Sequence, residues 1–218
     1  MKAAAYLFDL DGTLVDTEAL WSYAIVEMVN SRGGSTTAEE ILPSVIGRCW
    51  IDIDRELHRR FPEIGESSLE EDAAQLQANF KRCVAAGGKP EIIQGTVEFF
   101  RKAAALAPCA IVSGSPRHDV LASAEFCGIG NLVSLVLGAG DYPEGKPSPS
   151  SYLKAAELLN VRPEDCIVIE DSTVGVAAGA AAGMKVLALE RRVDVPQDFS
   201  PATWRYADLS GVSPEDLK

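Results

Sequence analysis

Short, unbroken apolar runs recur along the chain. Residues 3–8 (AAAYLF) form the first. Ala110–Val112 with its neighbours, Leu132–Leu137, Cys166–Ile169 and Val186–Leu189 follow. Runs that are apolar at every position, rather than at alternate ones, fit strands of a parallel sheet covered on both faces. Helical patterns separate them at 96–107, 117–127, Pro149–Leu159 and 173–183. Ser148 stands where an N-cap belongs, with Pro149 at the first helical position. The Ala/Gly-rich stretch 175–183 predicts a helix lying close on the sheet. Strand and helix alternate, which predicts a doubly wound, Rossmann-like α/β parallel sheet.

Residues 18–88 break the alternation. Amphipathic segments at 18–31, 37–46, 50–61 and 69–86 predict helices, and no run there predicts a strand. Capping boxes are expected at Thr36 with Glu39 and at Ser68 with Glu71. A helical block set after the first strand predicts an inserted α-helical cap domain, residues 16–91, in an α/β core of residues 1–15 and 92–218. Charge does not mark the boundary: residues 16–91 carry 8 basic and 14 acidic side chains, and the rest 12 and 18, a net −6 in each part.

The 218 residues are 47% apolar and 24% charged, enough apolar material for a packed core. A net charge of −12 argues against a nucleic-acid partner and against an anionic membrane surface. No apolar run has the length of a membrane span, and Asp9 and Asp11 interrupt the first one, so it is expected to be a strand and not a signal peptide. The cysteines (Cys49, Cys83, Cys109, Cys127 and Cys166) are scattered with no C-x-x-C pair. Neither a disulfide framework nor a zinc site is expected, only small buried hydrophobes in a cytoplasmic protein.

In open parallel sheets, ligands bind beyond the carboxyl ends of the strands. Four polar clusters fall there: Asp9-Leu10-Asp11-Gly12-Thr13, Ser113-Gly114-Ser115, Gly145-Lys146-Pro147-Ser148-Pro149 and Glu170-Asp171-Ser172. Singly, each has an ordinary structural explanation as a cap, turn or loop. Together they crowd Asp9, Asp11, Glu170 and Asp171 at one sheet edge. Each like-charge pair costs about 4 kcal/mol at ~4 Å and an effective dielectric of ~20. A cation and a lysine make such a site tolerable. Hard carboxylate oxygens with room for phosphate suit Mg²⁺. A hydroxyl and amides beside a glycine, as at Ser113 and Gly114, grip phosphate oxygens. One carboxylate can attack phosphorus and form an aspartyl-phosphate, while a second moves the proton.

In order, "FDLDGTLVDTE", "IVSGS", "GKPSP" and "VIEDS" resemble the four motifs of the haloacid dehalogenase-like (HAD) superfamily, in its sugar-phosphate phosphatase and β-phosphoglucomutase subfamily. The resemblance spans essentially the whole chain. It implies Asp9 as nucleophile and metal ligand, and Asp11 as general acid/base with its carbonyl on the metal. Ser113 and Lys146 would bind phosphate. Asp171 would be a direct Mg²⁺ ligand, and Glu170 a direct or water-mediated one. Asp11 argues against dehalogenation. The intact DLDGT argues against the phosphonate-hydrolysing members. Thr13 leans towards phosphatase, since the mutases often carry valine there.

The same resemblance implies a loop between cap helices that faces the substrate, here Gly47-Arg48-Cys49-Trp50. Arg48 would either meet a sugar hydroxyl, carboxylate or second phosphate, or stand as an exposed cap charge; Gly47 would allow close approach. Trp21 either lines the substrate side or packs in the core. Asp16 and Thr17 are expected as hinge and helix-capping residues, and His58 and His118 as isolated surface residues. The expected function is a Mg²⁺-dependent phosphatase of small phosphorylated metabolites, monomeric or weakly dimeric. A phosphomutase is the alternative, and a non-catalytic binding protein is disfavoured by the complete set of motif residues.

Overall fold

The computed structural model describes residues 3–45, 50–191 and 196–217. The chain falls into two compact units: Met1–Asp16, Ile92–Arg192 and Gln197–Lys218 make one, and Thr17–Glu91 forms the body of the other.

The first unit is a six-stranded, all-parallel sheet. Its strands are β1 (Ala5–Phe8), β4 (Cys109–Val112), β5 (Leu135–Leu137), β6 (Cys166–Glu170), β7 (Lys185–Leu189) and β8 (Trp204–Tyr206), in the order β5-β4-β1-β6-β7-β8. Helices α5 (Thr96–Ala104), α6 (Arg117–Phe126), α7 (Ser150–Leu159) and α8 (Thr173–Ala181) connect them. All four residues of β1 are buried, as its unbroken apolar run requires. Tyr6 and Phe8 face one side, where Phe8 meets Phe100 at a ring distance of 4.6 Å. Ala5 and Leu7 face the other, with Tyr152 and Val168. Burying a side chain such as Phe8 contributes about 1.5–3 kcal/mol. The strand order reverses at β1, so the crevice between β1 and β6 is the topological switch point.

Several boundaries differ from expectation. The run Leu132–Leu137 begins with a 3₁₀ turn, Gly130–Leu132, and only Leu135–Leu137 is strand. Helix α7 starts at Ser150, with Pro149 at its N-cap; Ser148 Oγ instead accepts from the Ser150 amide at 3.3 Å. Strand β8 was not predicted. Its side chains are half-buried or exposed, so no apolar run announces it.

The second unit contains α1 (Glu18–Ser31), α2 (Ala38–Val45), α3 (Trp50–Arg60) and α4 (Leu69–Ala85). Strands β2 (Val15–Asp16) and β3 (Glu91–Ile92) pair as a short two-stranded sheet where the chain leaves and re-enters the α/β unit. Ala24, Ile25, Met28 and Val29, at three- and four-residue spacing on the buried face of α1, pack with Ile41, Leu57 and Leu76. Trp21 stacks on Phe80 at 4.3 Å, so its ring packs within this unit. The Ser68–Glu71 capping box forms as expected. The other shifts by one residue: Thr37 Oγ1 accepts from the Glu40 amide and Glu40 returns to the Thr37 amide, both at 3.4 Å. Thr17 occupies the N-cap of α1, but its side chain does not cap it.

His58 is not an isolated surface residue. Its Nε2 lies 2.7 Å from Asp72 Oδ2 on α4, and its side chain is 27% exposed. Asp72 is fully buried and pairs with Arg32 at 2.7 Å. This network ties the end of α1 to α3 and α4. His118 is exposed, as expected. Cys109, Cys127 and Cys166 are buried, whereas Cys83 is half-buried; Cys49 lies outside the described residues.

Candidate active site

Asp9 stands one residue beyond β1, and its amide donates to the Ile169 carbonyl of β6 at 2.9 Å. Lys146, from the loop after β5, reaches across to it. Lys146 Nζ lies 2.5 Å from Asp9 Oδ1, 2.6 Å from Glu170 Oε1 and 3.2 Å from the Val112 carbonyl. Each of the three ammonium protons thus has an acceptor. The Tyr152 ring lies 5.0 Å from Nζ, and its hydroxyl donates to Glu170 Oε1 at 2.9 Å. Glu170 Oε2 accepts from the amides of Asp171 and Ser172 and from Ser172 Oγ, at 3.0–3.1 Å. Five donors therefore satisfy a carboxylate that is 1% exposed.

Two glycines leave room for the acids. Gly12 has φ +90°, and a Cβ there would lie 2.0 Å from Asp171 Oδ2. A Cβ on Gly175, in the first turn of α8, would lie 1.7 Å from Glu170 Oε1. Thr13 Oγ1 donates to Asp171 Oδ1 at 3.1 Å.

Asp11 faces different partners. Its Oδ2 accepts from Ser115 Oγ at 2.8 Å and from Ser113 Oγ at 3.3 Å. The Ser113 amide donates to the Leu137 carbonyl, and Tyr142 donates its hydroxyl to the Ser113 carbonyl at 2.8 Å. Gly114 sits at an exposed turn with open space around it. The structure thus brings Asp9, Asp11, Ser113, Lys146, Glu170 and Asp171 to one sheet edge. Gly47 and Arg48 lie outside the described residues.

Burial pushes the Asp9 carboxyl up to about 8 against the pull of Lys146, and the charges on Glu170 and Asp11 add to the rise. Asp171 is driven well above the carboxylate range by burial and by Glu170 and Asp9; Arg191 and Thr13 oppose this. Burial also works against ionised Glu170, but Lys146 and the hydrogen bonds hold it below its ordinary value. Lys146 stays well above its own ordinary value, because Asp9 and Glu170 outweigh the cost of burial. Lys146 and Glu170 therefore form the ionised pair, while Asp9 and Asp171 are short of positive charge. Oxygens of Asp9, Glu170 and Asp171 all lie within 4.8 Å of one another. This all-oxygen donor set fits a hard divalent cation such as Mg²⁺.

Among the described residues, one other group has such spacing: Asp54, His58 and Asp72. There the Arg32 guanidinium already supplies the positive charge, 2.7 Å from Asp72. That group is an ion-pair network of the helical unit.

No sequence pattern marks Tyr152 or Arg191 for the site, and none gives Ser115 a role of its own. Ser115 was visible inside the second motif. Tyr152 carried only the pattern of a core aromatic.

The haloacid dehalogenase-like hydrolase family matches residues 3–183. This chain is a haloacid dehalogenase-like hydrolase. It is 30% identical to protein CbbY of Rhodobacter capsulatus, across 100% of this chain and 98% of that one. It is 29% identical to hexitol phosphatase A of Escherichia coli, across 90% of this chain and 88% of that protein. Its fold is similar to the crystal structure of β-phosphoglucomutase from Clostridium difficile, with a TM-score of 0.78 at 20% identity, covering 99% of this chain and 95% of that one. Among the described residues no helix is long and apolar enough to cross a membrane.

Proposed function

We propose that this haloacid dehalogenase-like hydrolase is a Mg²⁺-dependent phosphatase of small phosphate monoesters, in the sugar-phosphate class, working through an aspartyl-phosphate. The observation that carries the reading is Lys146 held between Asp9 and Glu170 at the switch point, with Asp171 alongside and a serine-glycine turn opposite. The family match and the likeness to a hexitol phosphatase support it.

In this reading the Asp9 carboxylate attacks phosphorus and expels the sugar oxygen. Asp11 turns from Ser115 to the leaving oxygen and gives it a proton, then takes one from the water that hydrolyses the Asp9 phosphate ester. Ser113 Oγ and the amides at Gly114 hold phosphoryl oxygens, and Lys146 offsets their charge. A divalent cation held by Asp9, Asp171 and the Asp11 carbonyl, with Glu170 direct or through water, would neutralise charge on the transferring group. We assign the helical unit the role of a cap that selects the substrate.

The test is phosphate release from a panel of hexose, hexitol and pentose phosphates and nucleoside monophosphates, with and without Mg²⁺. Metal-dependent release from a subset of sugar phosphates supports the reading. Absence of release from every ester overturns it. An isomeric sugar phosphate formed without free phosphate favours transfer back to the sugar.

A further inference from the structure

One cation outside the four motifs reaches the same sheet edge. Arg191 lies two residues beyond β7. Its Nη1 donates to the Gly12 carbonyl at 3.2 Å, and its Nη2 donates to Asp16 Oδ2. The side chain is 21% exposed. Gly12 and Asp16 bracket the turn that follows the two aspartates. Within it, the Gly12 amide donates to the Val15 carbonyl at 2.7 Å, and Asp11 bridges to Val15. Thr13, inside the turn, carries the hydroxyl that meets Asp171.

The turn has a built-in weakness. Position 12 takes glycine because any Cβ would collide with Asp171, and glycine leaves the backbone torsions weakly restrained. Something else must hold the Gly12 carbonyl in place. A guanidinium does this well: its planar fork fixes two acceptors in one relative position, which a single ammonium point charge does not. Asp16 is also the last residue before the chain enters the helical unit. Arg191 therefore grips the turn at its glycine and at its exit.

We propose that Arg191 is a positioning residue that clamps the Gly12–Asp16 turn, and through it sets where Thr13 and Asp11 stand relative to Asp171. The catalytic consequence rests on the phosphatase reading; the clamp itself does not.

The test compares wild type with Arg191→Lys, which keeps the charge and loses the fork, and Arg191→Gln, which loses both. Hydrogen exchange of the 10–17 segment is measured without metal, and kcat and KM are measured on the best ester of the panel. The clamp predicts faster exchange in that segment in both variants. It also predicts a kcat about tenfold to a hundredfold lower in both, with KM changed less than about threefold. Adding Asp16→Asn to Arg191→Gln should deepen the kcat loss by less than the product of the two single losses. Unchanged exchange in both variants, or wild-type kcat in Arg191→Lys, overturns the proposal. If wild type releases phosphate from no ester, the phosphatase reading fails, and the exchange comparison still decides the clamp.

Discussion

The Tyr152 hydroxyl donates to Glu170 Oε1 at 2.9 Å, with both side chains buried, and Lys146 Nζ shares the same oxygen at 2.6 Å. Tyr152→Phe keeps the ring and removes that donor. The carboxylate keeps Lys146 and three other donors. We expect a loss of about 1.5–3 kcal/mol in urea unfolding, the range for a hydrogen bond to a charged group. An unchanged midpoint and slope would show that Glu170 does not depend on the tyrosine.

Asp9 and Asp11 stand in different surroundings, and their amide variants should differ in kind. In the proposed mechanism Asp9→Asn removes the attacking oxygen, and kcat should fall by about 10⁴ or more for every ester while circular dichroism stays native. Asp11→Asn should lose about 10²–10⁴ on alkyl phosphates and far less on an activated aryl phosphate, whose leaving group needs no proton. Equal losses of Asp11→Asn on both ester types would remove its acid role.

Metal binding should expel protons. In the metal-free protein Asp9 is pushed up to about 8, and Asp171 lies well above its ordinary range. A folded-state value above the unfolded one means that the fold holds protons the unfolded chain has released, so this part of its stability declines as pH rises towards about 8. A divalent cation takes these carboxylates ionised and reverses the sign. Mg²⁺ affinity should therefore climb as pH rises through about 8, with protons released on binding at about pH 6.5. Calorimetry in buffers of unlike ionisation enthalpy measures that release. A pH-independent affinity contradicts it.

The helical unit should depend on Asp72. Its buried carboxylate answers both Arg32 and His58, and these contacts hold it below the ordinary carboxylate range even though burial opposes them. Asp72→Asn should cost about 2–3 kcal/mol in urea unfolding. That is somewhat less than stranding a fully buried charge, because Arg32 keeps Gln75 and Ser67. A loss under about 0.5 kcal/mol would show that the pair is worth no more than a surface one.

The fold was legible where one physical signal acts alone. Apolar runs give β1, β4, β6 and β7, and the predicted 18–31 helix is α1, Glu18–Ser31. The register of these strands then carries Asp9, Ser113 and Asp171 to a common edge, which the order of the motifs already implied. Legibility fails where two registers share a signature. Thr36 with Glu39 and Thr37 with Glu40 both spell a capping box, and only the folded backbone selects the second. It fails again for contacts between residues far apart in sequence. Nothing near Arg191 points to Gly12, 179 positions away, and nothing near His58 points to Asp72. Strand β8 is held by pairing with β7, and its own WRY sequence gives no alternation or run to detect it.

Gly12 and Gly175 give this site a hidden vulnerability. Each touches an acid only through the space it does not fill. A chain could keep every motif acid, the lysine and both serines, and still be inert because a methyl group at either position had displaced a carboxylate. An inventory of charged residues alone would pass such a chain as active. The residues that distinguish a working enzyme from a dead relative include two that carry no chemistry at all.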